Sequence, residues 1–569
     1  MNQETKPTFE VNVTDTHQVF RNIPTSLNEI LESSVRRNWQ NIAFSDYKGE
    51  SYTYAQVAEY IEKLHILFEA AGLQPGDKVT ICGKNSAKWS IVFIACLTNG
   101  IVSVPILNEF KPETIHHLVD HSDAKLFFTD EPIWNTLDHN ELPKLNAVIY
   151  IDEFGISFSR TKEIESVHDN LDKHFKEKYP QGLSSNDIHW YHDKQEDIAL
   201  INYTSGSTGM SKGVTLPYRA IWSNIRFTLE QLTFLRPGDG MVNMLPLAHL
   251  YGLVIEMLHP FAKGCHCCFL GRLPSPAILM GALAQMKPKL IITVPLVIEK
   301  IIKKKVFPVI RTPKMRLLMN LPIVKGIIRG KIKENLINAL GGELKELIIG
   351  GASLNDEVDD LLHKIKFPFT VGYGMTECGP LITYEVPEKQ PNGTVGKVVD
   401  RMESKIDSPD PEKIPGNLWV KGYNVMVGYY KNPEATEEVF SKDGWMNTGD
   451  LVTRDKHGNI RIMGRSKTMI LGPSGQNIYP EEIEHKINNL PYVTESVVIE
   501  ENGKLIALIY PDFEALNEEG KDANTEMDNN LKVLNPQLPA YSKIAEIRIY
   551  NEEFEKTPKK SIKRFLYQP

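Results

Sequence analysis

Cysteine is scarce in this chain. Six residues in 569, irregularly placed at Cys82, Cys96, Cys265, Cys267, Cys268 and Cys378, exclude a disulfide framework and point to a reducing cytoplasm. Long hydrophobic runs are also lacking. The most apolar stretch, Ile91 to Leu107, is broken by Thr98, Asn99 and Gly100, and the N-terminal residues have no apolar core, so neither a spanning helix nor a signal peptide is expected. Positive charge is not in excess: 64 Lys and Arg face 72 Asp and Glu, for a formal net charge of -8. No global positive field would draw in nucleic acid, and none is expected as a partner. What the chain does have is length and apolar content, 41% hydrophobic residues, enough for a large core and for two or three domains.

From about residue 20 to 200 the pattern alternates between helix and strand. Val57, Ile61, Leu64 and Leu67 recur at helical spacing before Gly72, and Lys78 to Cys82 reads as a strand. Ala87 to Asn99 reads as a buried helix, and Ile101 to Ile106, Leu126 to Thr129 and Ala147 to Ile151 as further strands. This predicts an α/β fold with a largely parallel sheet covered by helices on both faces. Residues 152 to 196, rich in charge and His, read as a surface excursion, and the polar residues 512 to 530 as loop. Ser496 to Glu500 and Leu505 to Tyr510 predict a hairpin.

The stretch Tyr203 to Gly213, Tyr-Thr-Ser-Gly-Ser-Thr-Gly-Met-Ser-Lys-Gly, follows the strand-like run Ile198 to Ile201. Its glycines permit a tight turn with uncovered N–H groups, its hydroxyls add donors, and Lys212 adds a cation, a set suited to an oligophosphate. It is not the usual nucleotide-triphosphatase loop, because Met210 and Ser211 separate the last glycine from the lysine. Connecting loops share such composition, so the order of residues carries the reading.

That order resembles the phosphate loop of the acyl- and aryl-adenylate-forming enzymes: acyl-coenzyme A synthetases, luciferases and peptide-synthetase adenylation domains. Further segments resemble the same family in its order: Pro246-Leu247-Ala248-His249-Leu250-Tyr251-Gly252, Gly350-Gly351-Ala352-Ser353, Val371 to Pro380, Trp445 to Asp450, Gly464-Arg465-Ser466-Lys467 and Leu471 to Glu484. Ile291 to Lys300 resembles the strand and helix start beside the fatty-acid tunnel of long-chain acyl synthetases, with Val294 at the pocket. The resemblance implies a large N-terminal domain over residues 1–465 and a small mobile α+β domain over 466–569, with a hinge near 465–468 at Lys467.

It further implies that Thr204, Ser205, Gly206, Ser207, Thr208, Gly209 and Lys212 hold the phosphates of ATP, and that Gly351 and Ala352 border the adenine. Tyr373 and Gly374 would lie at the base, Thr376 on the α-phosphate, Glu377 on Mg²⁺, Asp450 on the ribose and Arg465 on ribose or phosphate. His249 and Val294 would line the acyl pocket, and Gly475 the coenzyme A channel. The implied reaction converts a fatty acid, long-chain by the Ile291 segment, to acyl-coenzyme A through an acyl-adenylate. The alternatives are ligation of another acid, such as an aryl acid, transfer to an acyl carrier protein, or a non-catalytic nucleotide-binding relative.

The family's C-terminal lysine falls at Ser561 here, one residue after Lys560, which is the expected substitute, with Lys559 beside it. Cys265-His266-Cys267-Cys268 lacks a second Cys/His cluster and reads as a structural strand rather than a metal site. Between Lys300 and Lys333 there are eleven Lys or Arg and no acid, interleaved with apolar residues. This stretch reads as a solvated helical face, as a peripheral contact with the inner face of a membrane, or as a collector of coenzyme A phosphates. A homodimer is compatible with the family.

Overall fold

The computed structural model describes residues 26–204, 211–271, 275–318, 320–471, 477–556 and 562–568. Ser205, Gly206, Ser207, Thr208, Gly209, Gly475, Lys559, Lys560 and Ser561 lie outside the described residues.

The alternating pattern produces an eight-stranded sheet in the order Gly428–Tyr429, Lys212–Pro217, Ile198–Thr204, Val102–Ile106, Lys78–Cys82, Ala124–Thr129, Ala147–Tyr150 and Ile156–Ser159. The five central strands, from Ile198–Thr204 to Ala147–Tyr150, pair in parallel, and the pairings outside them are antiparallel. The helix Ala87–Thr98 is buried almost all round and starts where Ser86 Oγ accepts the N–H of Trp89 at 3.1 Å. A helix apolar on every side belongs inside the protein. The helix Tyr54–Ala70 opens with a capping box, Gln56 N donating to Thr53 Oγ1 and Thr53 N to Gln56 Oε1, which satisfies two end donors reciprocally.

A second parallel sheet of three strands, Leu290–Thr293, Glu346–Ile349 and Phe369–Val371, stands beside the first. The antiparallel strands Met446–Arg454 and Ile460–Arg465 belong to a four-stranded sheet. Beyond them lies a small α+β unit: the hairpin Val493–Glu501 and Lys504–Pro511, joined in parallel by Ile544–Ile549, under the helices Pro480–Ile487 and Ala523–Leu534.

Two expectations are corrected. Residues 152–196 are not merely a surface excursion. Ile156–Ser159 forms the edge strand of the large sheet, Ile188 is buried, and the buried Asp193 accepts the N–H groups of Leu27 and Asn28, capping the first helix. Residues 512–530 are helical over Phe513–Glu518 and from Ala523 onward, because Asp512 and Asp522 cap each start and Leu516, Met527 and Leu534 give each helix a buried side. Sparse apolar residues sufficed where the caps were good.

The strand His266–Phe269 runs beside Ile42–Asp46 and places Cys267 and Cys268 in the core. Burial pushes both thiols above their ordinary value. These are packing residues, not reactive ones.

Candidate active site

Parallel strands end on one edge, and the turns leaving them gather there. In the three-stranded sheet Thr293, Ile349 and Val371 are in register at the carboxyl ends. Gly350 N donates to Thr293 O at 3.0 Å and Gly372 N to Ile349 O at 2.9 Å, so Val294, Gly351 with Ala352, and Tyr373 leave the sheet side by side. Gly351 has φ +85° and faces Val294, where an added Cβ would meet Cγ1 at 3.6 Å. Gly374 is dictated by space: a Cβ there would lie 2.1 Å from Pro380 O. A backbone pressed this close leaves a flat surface open to a ligand.

The residues flanking the expected phosphate loop are antiparallel neighbours: Tyr203 pairs with Gly213 and Thr204 with Lys212, in the large sheet. Lys212 Nζ lies 4.9 Å from the centroid of the Tyr429 ring, and Tyr429 Oη donates to Glu377 Oε1 at 2.9 Å. Tyr429 stands between the lysine and the carboxylate. Sequence reasoning missed it, because its place depends on Gly428–Tyr429 pairing with Val214 and Thr215 more than two hundred residues earlier. Burial, then the Glu377 charge, push its phenol above the ordinary range. It stays a neutral donor.

Thr376 opens a tight turn, Thr376–Cys378, that holds Glu377 in place, and Met426 N donates to Glu377 O at 2.9 Å. Among the described residues no three His, Cys, Asp or Glu gather as a metal cage. Glu377 instead offers one carboxylate, with Oε1 taken by Tyr429. This donor set fits Mg²⁺, which takes one or two carboxylates and fills its shell from phosphates and water.

Asp450 and Arg465 face each other across antiparallel strands, with Arg465 Nε to Asp450 Oδ1 at 2.7 Å, and Tyr373 Oη donates to Asp450 Oδ2. Asp450 is buried while the Arg465 side chain is about half exposed. Burial pushes the Asp450 carboxyl above its ordinary value, and the Arg465 guanidinium offsets part of that. Lys467 is exposed in the turn that follows, where Ser466 N donates to Gly449 O and Thr468 Oγ1 to Glu481 Oε1.

The turn containing His249 connects the two sheets. Asn202 Nδ2 donates to Ala248 O at 2.8 Å, and Tyr251 Oη donates to Ile348 O at 3.2 Å. Gly252 is required, since a Cβ would lie 2.7 Å from Pro246 O. His249 itself is half-buried. The buried Glu256, accepting from Asn243 Nδ2, Met244 N and Leu245 N, fixes the strand leading into this turn. It was not found from sequence either. An apolar seam runs below, between Met244, Leu283, Ile291, Val297, Ile301 and Leu340, with a cavity of about 10 Å³.

The model of the AMP-binding enzyme family matches residues 31–430, and that of the AMP-binding enzyme C-terminal domain matches residues 467–567. The chain is 25% identical over 555 residues to long-chain-fatty-acid–CoA ligase 1 of Saccharomyces cerevisiae, covering 88% of this chain and 78% of that protein. It is 28% identical over 506 residues to long-chain-fatty-acid–CoA ligase 5 of Rattus norvegicus, covering 82% and 71%. Among solved structures, ATP-bound MatB from Rhodopseudomonas palustris superposes with a TM-score of 0.74 at 21% identity over 95% of this chain and 98% of that one. The anthranilate CoA ligase AuaEII with anthranoyl-AMP gives 0.76 at 18% over 96% and 97%. The chain belongs to the AMP-binding enzyme family.

Proposed function

We propose that this protein activates a fatty acid with ATP and transfers the acyl group to coenzyme A, releasing AMP and pyrophosphate. The observation that carries the reading is the convergence of the Gly351, Tyr373–Gly374, Glu377 and Asp450–Arg465 turns around strand ends, beside the hairpin anchored by Thr204 and Lys212. The curated relatives named above are long-chain-fatty-acid–CoA ligases, which supports a long acyl chain as substrate.

A carboxylate oxygen of the acid attacks the α-phosphorus, the bond to the β-phosphate oxygen breaks, and pyrophosphate leaves. The thiol of coenzyme A then gives up its proton, attacks the acyl carbonyl, and AMP departs. Two anions meet in the first step, so fixed positive charge and donors carry much of the barrier lowering. In this reading Lys212, the N–H groups of Ser205 to Gly209 and Lys560 face the phosphates, Thr376 donates to the α-phosphate, and Glu377 would hold Mg²⁺. When bound, that ion offsets phosphate charge. Asp450 receives the ribose hydroxyls, Tyr373 and Gly374 with Gly351 and Ala352 frame the adenine, and Arg465 closes the ribose side. His249 and Val294 would line the acyl pocket in the same reading.

The seam as packed has no room for a chain, so Met244 and its neighbours move aside when an acid enters. The small domain, from residue 466, turns about Lys467, and the Gly475 loop then faces the thiol. The test is pyrophosphate release and thioester formation across acids from short to long, with and without coenzyme A. Long-chain turnover that requires ATP supports the reading. Turnover with aryl acids only, or nucleotide binding without pyrophosphate release, overturns it.

A further inference from the structure

The helices beside the apolar seam carry a surface that no described residue covers. Of fourteen large apolar side chains exposed among the described residues, six fall between positions 296 and 327: Leu296, Val309, Leu317, Leu321, Ile323 and Ile327. Ile323 is 82% exposed, Leu317 70% and Ile327 67%. The helix Pro322–Ala339 buries only Leu336. Ile323 and Ile327, one turn apart, therefore project together into solvent. Such clustering marks an interaction surface.

Charge surrounds these residues. Lys303, Lys304, Lys305, Lys314 and Lys331 are exposed, and no acid occurs between Lys300 and Lys333. Among the described residues of the stretch, Arg311 alone forms an ion pair, to Glu357 at 2.9 Å. Protruding isoleucines ringed by unpaired cations suit a medium that is apolar inside and anionic at its face. An acidic protein would engage the lysines but leave the outward isoleucines without an apolar partner. Val297 and Ile301, on the helix Pro295–Ile301 that carries Leu296, and Leu340, just past the helix Pro322–Ala339, line the seam. We infer that the surface formed by Leu296, Val309, Leu317, Leu321, Ile323 and Ile327 with the lysines around them docks on a bilayer containing anionic lipid, so that acids partitioned in the membrane reach the protein at the elements that flank the seam. Its purpose rests on the acid-activating reading; its physical test does not.

The full-length protein is sedimented without substrates with vesicles of phosphatidylcholine alone, or of phosphatidylcholine with about 30% phosphatidylglycerol. Wild type is expected to bind the anionic vesicles and release them as salt rises. A double variant, Ile323→Ser with Ile327→Ser, is expected to bind at least tenfold more weakly, with an unchanged melting temperature because both side chains are exposed. A second, Lys303→Glu with Lys304→Glu, is expected to lose the preference for anionic lipid. Turnover of a detergent-dispersed acid should be equal in wild type and the serine variant, and turnover of a vesicle-embedded acid should fall in the variant. Wild type that stays in solution with anionic vesicles overturns the docking surface, as does equal sedimentation of the serine variant. A self-association abolished by the serine changes, or capture by an acidic carrier protein with no vesicle binding, overturns it also. Anionic vesicle binding that depends on Ile323 and Ile327, in a protein that activates no acid, supports the surface and refutes the function instead.

Discussion

Asp450→Asn separates the role of Asp450 in binding from its role in the fold. The buried carboxylate accepts from Tyr373 Oη and from Arg465 Nε at 2.7 Å. If the ribose hydroxyls also donate to it, the amide loses the charge-assisted part of those bonds and presents N–H groups to one of them. Hydrogen bonds to charged groups contribute about 1.5–3 kcal/mol against about 0.5–1.5 for neutral ones, so ATP should bind more weakly by about 1–2 kcal/mol, roughly five- to thirtyfold. Stability behaves differently. Burial raises the folded pKa of Asp450, so the fold favours the neutral form, and its ionisation at neutral pH costs stability rather than adding it. The Arg465 side chain, about half exposed, regains water when its partner is neutralised. The melting temperature of the free protein should therefore shift by less than about 2 °C. The assay is pyrophosphate release with ATP titrated at saturating acid, beside thermal melts with and without ATP. A KM for ATP within twofold of wild type refutes the ribose assignment, and a large fall in melting temperature without ATP shows that the Asp450–Arg465 pair serves the fold.

Glu377→Gln should slow pyrophosphate release by about 100-fold or more yet spare thioester formation from supplied acyl-adenylate; equal losses in both half-reactions would contradict its place on the ion. Tyr429→Phe removes the donor to Glu377 and should slow the same half-reaction by roughly tenfold, read by single-turnover quench; full activity would mean the contact is incidental. Gly374→Ala puts a Cβ 2.1 Å from Pro380 O, and should cost about 2 kcal/mol or more and abolish thermal protection by ATP. His363 packs on this region, Nδ1 to Asp359 Oδ1 at 3.0 Å and Nε2 to Gln390 O at 3.1 Å, while Gln390 bonds Val371 just before the Tyr373 turn. Burial lowers the His363 pKa, but the hydrogen bonds and charge of Asp359 outweigh it and raise the value to about 9. A raised folded pKa stabilises below the unfolded value near 6.5, and that stability is lost as pH rises to about 9. His363→Gln should thus cost about 1–2 kcal/mol near pH 6 and almost nothing above pH 9, in denaturant titrations at both pH values; a pH-independent deficit would rule out the ion pair.

Local signals carried much of the fold because strands and helices follow from nearest neighbours along the chain. Lys78–Cys82 and Ala87–Thr98 form where the apolar runs and the Gly100 stop indicate, and Gly351 and Gly374 were legible because only glycine tolerates their geometry. The helices after Asp512 and Asp522 are hidden by a polar composition, which two caps outweigh. The structural part of residues 152–196 is not legible from order alone, because Asp193 serves a helix end met only after folding. The sequence by itself determined which turns are tight, which segments are apolar and where cations concentrate without acids between them, as these are properties of composition and order. Only the tertiary structure decided that Tyr429 joins Lys212 to Glu377, that Tyr373 and Arg465 share Asp450, and that Ile323 and Ile327 are left exposed to solvent. Those contacts join residues tens to hundreds of positions apart, and only strand register and helix packing set which of them meet.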